Sequence, residues 1–175
     1  MFDSRHINES VNFSEDDFFF EHYSMRDNPT QKDIMRIQKY LFEKEQFFHY
    51  EFTLFNNYLN FFNSDFVLIL IPTIDKYLDS VNSLVEYQLE RITLYINLGY
   101  YFFNKNNLNE LKRINNILSE LMTDHYLKIS VEQFYKFKLL SDIATNSLDI
   151  SKYEGLKKIG LGPLLEQVKD KYKMC

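Results

Sequence analysis

The sequence is poor in the residues that turn, staple or break a chain. It holds 4 glycines and 3 prolines, and between Thr30 and Glu154 only Gly99 and Pro72 represent them. A chain this long with so little turn chemistry is most simply helical. A single cysteine, Cys175, excludes an internal disulfide and fits a reducing compartment. The longest apolar run, Phe66 to Pro72, falls far short of the ~20 residues a membrane span needs. Met1 to Ser10 is too polar for a secretory leader. The expected location is therefore cytoplasmic, with no membrane partner.

Positive charge is also short. Lys plus Arg number 20 against 25 Asp plus Glu, a net charge of −5. That balance excludes a stand-alone nucleic-acid or anionic-membrane binder. Clusters that carry chemistry are missing as well. The histidines at 6, 22, 49 and 125 have no second histidine at i+3 or i+4 and no cysteine partner, whereas a metal needs convergent ligands. Gly155, Gly160 and Gly162 lack the lysine–serine that follows a phosphate loop. No nucleophile elbow appears. The sequence thus offers no enzyme, no metal and no cofactor.

What is present is a folded domain. Hydrophobic residues make up 45% and aromatics 17% of the 175 residues, too many for disorder. That length is one domain, which buries roughly two-thirds of the surface its unfolded chain exposes. Asparagine occurs 16 times and alanine once, a skew of the kind AT-rich coding gives.

Helix starts are marked by capping boxes, in which a serine oxygen takes an orphan N–H and an acid or amide reaches back. Ser83–Glu86, Ser130–Gln133 and Ser151–Glu154 fit; Asn107–Glu110 is the asparagine version, and Thr30–Asp33 and Ser14–Asp17 are weaker. Phe48, Phe52, Phe55, Leu59 and Phe62 step by three and four along one helical stripe, as do Leu108, Leu111, Ile114, Leu118 and Leu121. Helices are predicted near 14–25, 31–46, 48–62, 65–81, 84–104, 108–123, 131–146, 151–159 and 163–173. Ile34, Ile37, Leu41 and Phe48 predict that helix 31–46 runs into 48–62 with almost no loop. Pro72 should kink or restart the helix that contains it.

An internal echo points to the architecture. Thr53-Leu-Phe-Asn-Asn57 resembles Thr93-Leu-Tyr-Ile-Asn97 at an offset of 40, and extending the offset pairs Phe61 with Tyr101 and Phe62 with Phe102. Periods of about 34–47 residues belong to stacked helical hairpins. The expected fold is all-α: about 8–9 helices stacked as antiparallel hairpins in a TPR-like right-handed superhelix. The faces away from the apolar stripes are polar but poor in charge: Tyr50, Thr53, Asn57, Asn60 and Phe61 on one helix, Glu90, Thr93, Asn97, Tyr101 and Asn104 on the other. Asparagine amides donate to and accept from a peptide backbone at once, and tyrosines give rigid amphipathic contact area. Such faces suit the concave side of a stack.

The stretch Ile37-Gln-Lys-Tyr-Leu-Phe-Glu-Lys-Glu-Gln-Phe-Phe-His-Tyr-Glu-Phe-Thr-Leu-Phe-Asn-Asn57, with Ile96-Asn97-Leu98 later, resembles the Rgg/GadR/MutR transcription regulators of low-GC Gram-positive bacteria. The likeness spans about residues 30 to 160. It implies a TPR-like homodimeric domain that binds a short hydrophobic signalling peptide on its concave face, in quorum sensing, and acts on DNA through a helix-turn-helix domain. Asn57 and Asn97 match the family's asparagines and are expected peptide contacts. Tyr58, Tyr101 and Lys138 join them from expected facing. The expected organisation is a partly helical segment over 1–29 and a peptide-binding, dimerising repeat domain over 30–175, with no helix-turn-helix in this chain. Phe47-Phe48 stands where many relatives carry a tryptophan. Two other readings compete: a helical protein-interaction adapter with no transcriptional role, and a small-ligand-binding bundle with an enclosed apolar pocket.

Overall fold

The computed structural model describes residues 28–125 and 128–172. The helix expected over 14–25, the Ser14 box and all of segment 1–29 except Asn28 and Pro29 lie outside the described residues. Among those described, the chain is all-helical. It forms α1 (Gln31–Glu43), α2 (His49–Tyr58), α3 (Ser64–Ser80), α4 (Val85–Asn104), α5 (Leu108–His125), α6 (Val131–Ala144) and α7 (Gly162–Tyr172), with 3₁₀ segments over Leu59–Phe61 and Ile150–Ile159.

The helix starts follow their side chains in most places. Thr30 and Ser130 form complete capping boxes on α1 and α6. Asn63 caps α3 by accepting from the Phe66 N–H at 2.8 Å, and Asn107 accepts from the Glu110 N–H at 3.2 Å. Two expected boxes do not form. Helix α4 starts after Leu84, with no side-chain cap, because residues 81–84 already close a turn through Leu84 N–H to the Val81 carbonyl at 3.0 Å. Gln88 fastens that turn further, reaching the Asn82 carbonyl at 2.7 Å. At the second site Asp149, not Ser151, is the cap; it accepts from the Ser151 N–H at 3.1 Å. Helices α1 and α2 are separated by residues 44–48 rather than fused. Buried Glu51 holds that corner, accepting from Tyr40 Oη at 2.6 Å and from the Phe48 N–H at 3.0 Å.

Pro72 does not end its helix. Residues before and after it, Leu70, Ile71, Ile74, Tyr77 and Leu78, are all buried. Burial of a large apolar side chain is worth about 1.5–3 kcal/mol, so five of them outweigh the ~3 kcal/mol a helical proline costs.

The helices form two layers. Helices α2, α4, α6 and α7 make the inner one. Asn97 Nδ2 of α4 donates to Asn56 Oδ1 of α2 at 3.0 Å, and Gln133 Nε2 of α6 donates to Thr93 Oγ1 of α4 at 2.8 Å. Helices α3 and α5 and the second 3₁₀ segment pack behind. Tyr95 Oη donates to Asp75 of α3 at 2.5 Å, Arg91 pairs with Asp79 at 2.7 Å, and Tyr153 Oη donates to Asp142 at 2.7 Å. The antiparallel hairpin α4–α5 is the most extensive packing in the molecule, and Leu111, Ile114 and Leu118 of α5 are fully buried in it.

The 40-residue echo now has a physical meaning. In a hairpin stack, residues one period apart sit side by side on adjacent inner helices. Thr93 and Gln133 are 40 apart, Asn56 and Asn97 are 41 apart, and Tyr101 reaches the Phe62 carbonyl 39 residues back.

Gly99 sets the closest approach in this stack. A Cβ built there would stand 2.2 Å from Leu140 Cδ2 and 3.1 Å from its Cγ. Leu140 is fully buried, so its side chain must repack within the core to admit the methyl. Gly99→Ala is therefore expected to destabilise the fold by about 1–3 kcal/mol, the usual range for overpacking, despite alanine's better helix propensity. Urea unfolding of the two proteins checks this, and an unchanged midpoint would refute the close packing of α4 on α6.

Candidate binding groove across the inner helices

The inner helices leave a groove on their open side, in two sections that share Asn56. One section, of about 410 Å³, runs between Asn60 of the first 3₁₀ segment, Tyr100 and Asn104 of α4, Lys136 of α6 and Leu164 and Gln167 of α7. The other, of about 400 Å³, lies between α2 and the start of α4, from Thr53 to Thr93.

The groove wall is a set of amides held by inter-helix bonds. The Asn97–Asn56 bond uses one hydrogen of Asn97 and one lone pair of Asn56. By the donor and acceptor count of a carboxamide, the remaining groups of each stay available to a ligand. Asn104 Oδ1 accepts from Gln167 Nε2 at 3.3 Å, joining α4 to α7 in the same way. Tyr100 Oη donates to the Lys136 carbonyl at 2.9 Å. Burial pushes the Tyr100 phenol well above the usual tyrosine range, so it stays a neutral donor. Ionisable side chains are few in the lining. His49 Nδ1 lies 3.6 Å from Glu90 Oε2 at one end, beside Glu86. Lys136 borders the larger section beside Tyr100 and pairs with Glu132 at 2.6 Å.

The five residues singled out in the sequence fare differently. Asn97 lines the groove. Asn57 is exposed but outside it, and its neighbour Asn56 takes the position. Tyr58 and Tyr101 are 2% and 1% exposed, in the core rather than on the open face. Tyr101 Oη donates to the Phe62 carbonyl at 3.0 Å, so the hydroxyl ties α4 to the end of the first 3₁₀ segment. Lys138 points to solvent, and Lys136, about 200° away around the helix, faces the groove.

The reason for these shifts is helical register. From Thr53, a step of four residues turns about 40° past a full circle and a step of three falls about 60° short. Both are neighbours on the same side. Which one faces the groove depends on where the adjacent helix lies, and a single helix does not carry that information. The residues missed were Asn56, Tyr100, Lys136 and Gln167. The first three lie next to or within two positions of those chosen, and the 39- to 41-residue spacing of polar pairs was the signal that could have found Asn56.

An all-α stack of hairpins with a polar groove across its inner helices defines a helical-repeat protein. Among the described residues no group of three or more His, Cys, Asp or Glu side chains converges on a metal site. None of the described helices is long and apolar enough to cross a membrane. Residues 6–150 match the family model for the C-terminal domain of the HTH-type transcriptional regulator Rgg, and the chain belongs to that family. The family is one of transcription regulators, not an enzyme class. No curated protein and no solved structure matches the chain.

The assignment of Tyr101 to the core and Asn57 to the surface is testable. Tyr101→Phe is expected to cost about 0.5–1.5 kcal/mol of stability, the net value of one hydrogen bond, and Asn57→Ala less than about 0.5 kcal/mol. Chemical denaturation of both variants measures the contrast.

Helix α7, one wall of the groove, is fastened by exposed ion pairs. Lys169 Nζ bonds Glu154 at 2.6 Å and Glu166 at 3.2 Å, while Lys157 bonds the same two at 3.0 and 3.1 Å. The Lys169 contact, more than any other, holds Glu154 below the usual carboxylate range; Lys157 does so for Glu166. Carboxylates depressed in the folded state contribute stability above their unfolded pKa and lose it as pH falls through the folded one. The same bonds raise both lysines, whose contribution is lost only in strong alkali. Lowering the pH from 7 to about 3 is thus expected to loosen α7. The drop in thermal midpoint should be smaller in Glu166→Gln and in about 1 M salt, which screens exposed pairs. An equal drop in all three would show that these pairs add nothing.

Proposed function

We propose that this domain is the sensing part of an Rgg-type regulator and that it binds a short hydrophobic peptide in the inner groove, in the cytoplasm. The observation that carries this reading is the half-used amide pair Asn56–Asn97 at the junction of the two groove sections. A peptide backbone presents alternating N–H and C=O groups, and a row of amides with spare donors and acceptors matches it. Leu59, Leu161 and Leu164 offer apolar contact between the amides, which suits hydrophobic side chains.

The domain works as a homodimer in this reading. Met35, Phe42 and Phe48 are 61%, 63% and 61% exposed on and just after α1, and a second copy is the natural cover for such residues. Peptide binding then acts by population shift. The peptide favours one arrangement of the stack by the usual ~1–3 kcal/mol of coupling, and a helix-turn-helix domain elsewhere in the regulator reads that arrangement at promoters.

Titration of the protein with fluorescent hydrophobic peptides, against scrambled polar controls, tests the reading. Asn56→Ala and Asn97→Ala are each expected to weaken binding about 5- to 10-fold, equivalent to one net hydrogen bond, while Asn57→Ala leaves it unchanged. A broad peptide pool that neither binds nor raises the thermal midpoint would transfer the groove to a protein partner.

A further inference from the structure

A second cavity lies on the other side of α4, and it shares no lining residue with the groove. Its volume is about 760 Å³, larger than either groove section. Phe103, Ile143 and Ala144, all at least 94% buried, form its apolar floor, and half-exposed Leu108 stands at its mouth. Two polar groups of α5 border the same space. Asn115 is 7% exposed, and its Oδ1 is shut off from water with no hydrogen-bond partner. Lys112 lies one helical turn earlier and pairs with no carboxylate among the described residues.

A buried amide oxygen with no partner costs free energy that a hydrogen-bond donor would recover. An oxygen so enclosed meets a ligand donor only after a half-turn of the carboxamide about its soft Cβ–Cγ bond, which exchanges it with Nδ2. A free lysine at the rim asks for an anion. Side chains three apart on a helix face stand about 5–6 Å from each other. One residue of an acylated chain therefore spans both.

We propose that this cavity binds an N-acyl α-amino acid with an apolar side chain. Its carboxylate meets Lys112, its amide N–H meets Asn115 Oδ1, and its side chain rests on Phe103 and Ile143. The C-terminal residue of a peptide and a free N-acyl amino acid share this chemistry. The site is independent of the groove, and its failure would leave the groove reading untouched.

Ala144 is the chain's only alanine, so a ¹³C-methyl-alanine label reports from the cavity floor with one signal. Titration of the full chain with N-acetyl-leucine is expected to move that signal saturably. N-acetyl-leucinamide, which lacks the charge, and N-acetyl-N-methyl-leucine, which lacks the N–H, should each bind about tenfold more weakly. Lys112→Gln, an exposed change that leaves the fold intact, should erase the difference between the acid and its amide. A short peptide ending in leucine that binds more tightly than N-acetyl-leucine identifies a peptide terminus as the source. Equal affinity identifies the single acylated residue. No shift up to about 10 mM, or equal shifts from all three small ligands, would overturn the proposal.

Discussion

Helix α4 has neighbours on nearly every side, and no arrangement of the other helices survives unless its polar side chains find partners across those contacts. Tyr95 meets Asp75 on the outer layer, Asn97 meets Asn56, Thr93 meets Gln133, and Tyr101 meets the Phe62 carbonyl. Each bond crosses to a different element. A buried polar group left unpaired costs about 1–3 kcal/mol, so sliding α4 by one residue against any neighbour would break several bonds at once. Gly99 permits the closest of these approaches, against Leu140. Apolar burial supplies the bulk of the stability here, but it is not directional. The register of the stack comes from this ring of polar bonds.

The groove is a consequence of the same ring. Of these bonds, the Asn56–Asn97 pair also lines the groove. Asn56 and Asn97 illustrate the economy: each amide spends part of its capacity on the fold and keeps the rest. Dynamics follow from how the walls are attached. Helices α2, α4 and α6 are set by buried contacts. Helix α7 is held partly by exposed lysine–glutamate pairs on the second 3₁₀ segment and partly by Gln167 and Lys171 on the end of α4. Exposed pairs are weak, and the fully buried Leu165 and Val168 supply the stronger part of the α7 attachment.

The sequence by itself determined a great deal here. Scarcity of glycine and proline, together with apolar stripes at helical spacing, placed every described helix within about three residues of its final ends. The offset of 40 announced a hairpin stack. The Ile37 to Asn57 stretch carried the family. These signals are legible because they are local or periodic: a stripe, a cap or a repeat is complete within the residues that show it. The failures were local rules overridden from outside. Ser83 loses its cap to a turn closed by the Leu84 N–H on the Val81 carbonyl, and Ser151 loses its place to Asp149.

Only the tertiary structure decided which of two adjacent side chains faces a neighbour. Asn56 rather than Asn57, Tyr100 rather than Tyr101, and Lys136 rather than Lys138 line the groove. A helix has no front until something packs on its back. The stripe tells which half is buried, but the edge of that stripe, where binding residues sit, is set by the crossing of two helices far apart in the chain. The orphaned Asn115 beside its cavity was invisible for the same reason. Nothing in the string of letters shows that a polar residue on α5 is enclosed without a partner until α4, α6 and α7 have closed around it.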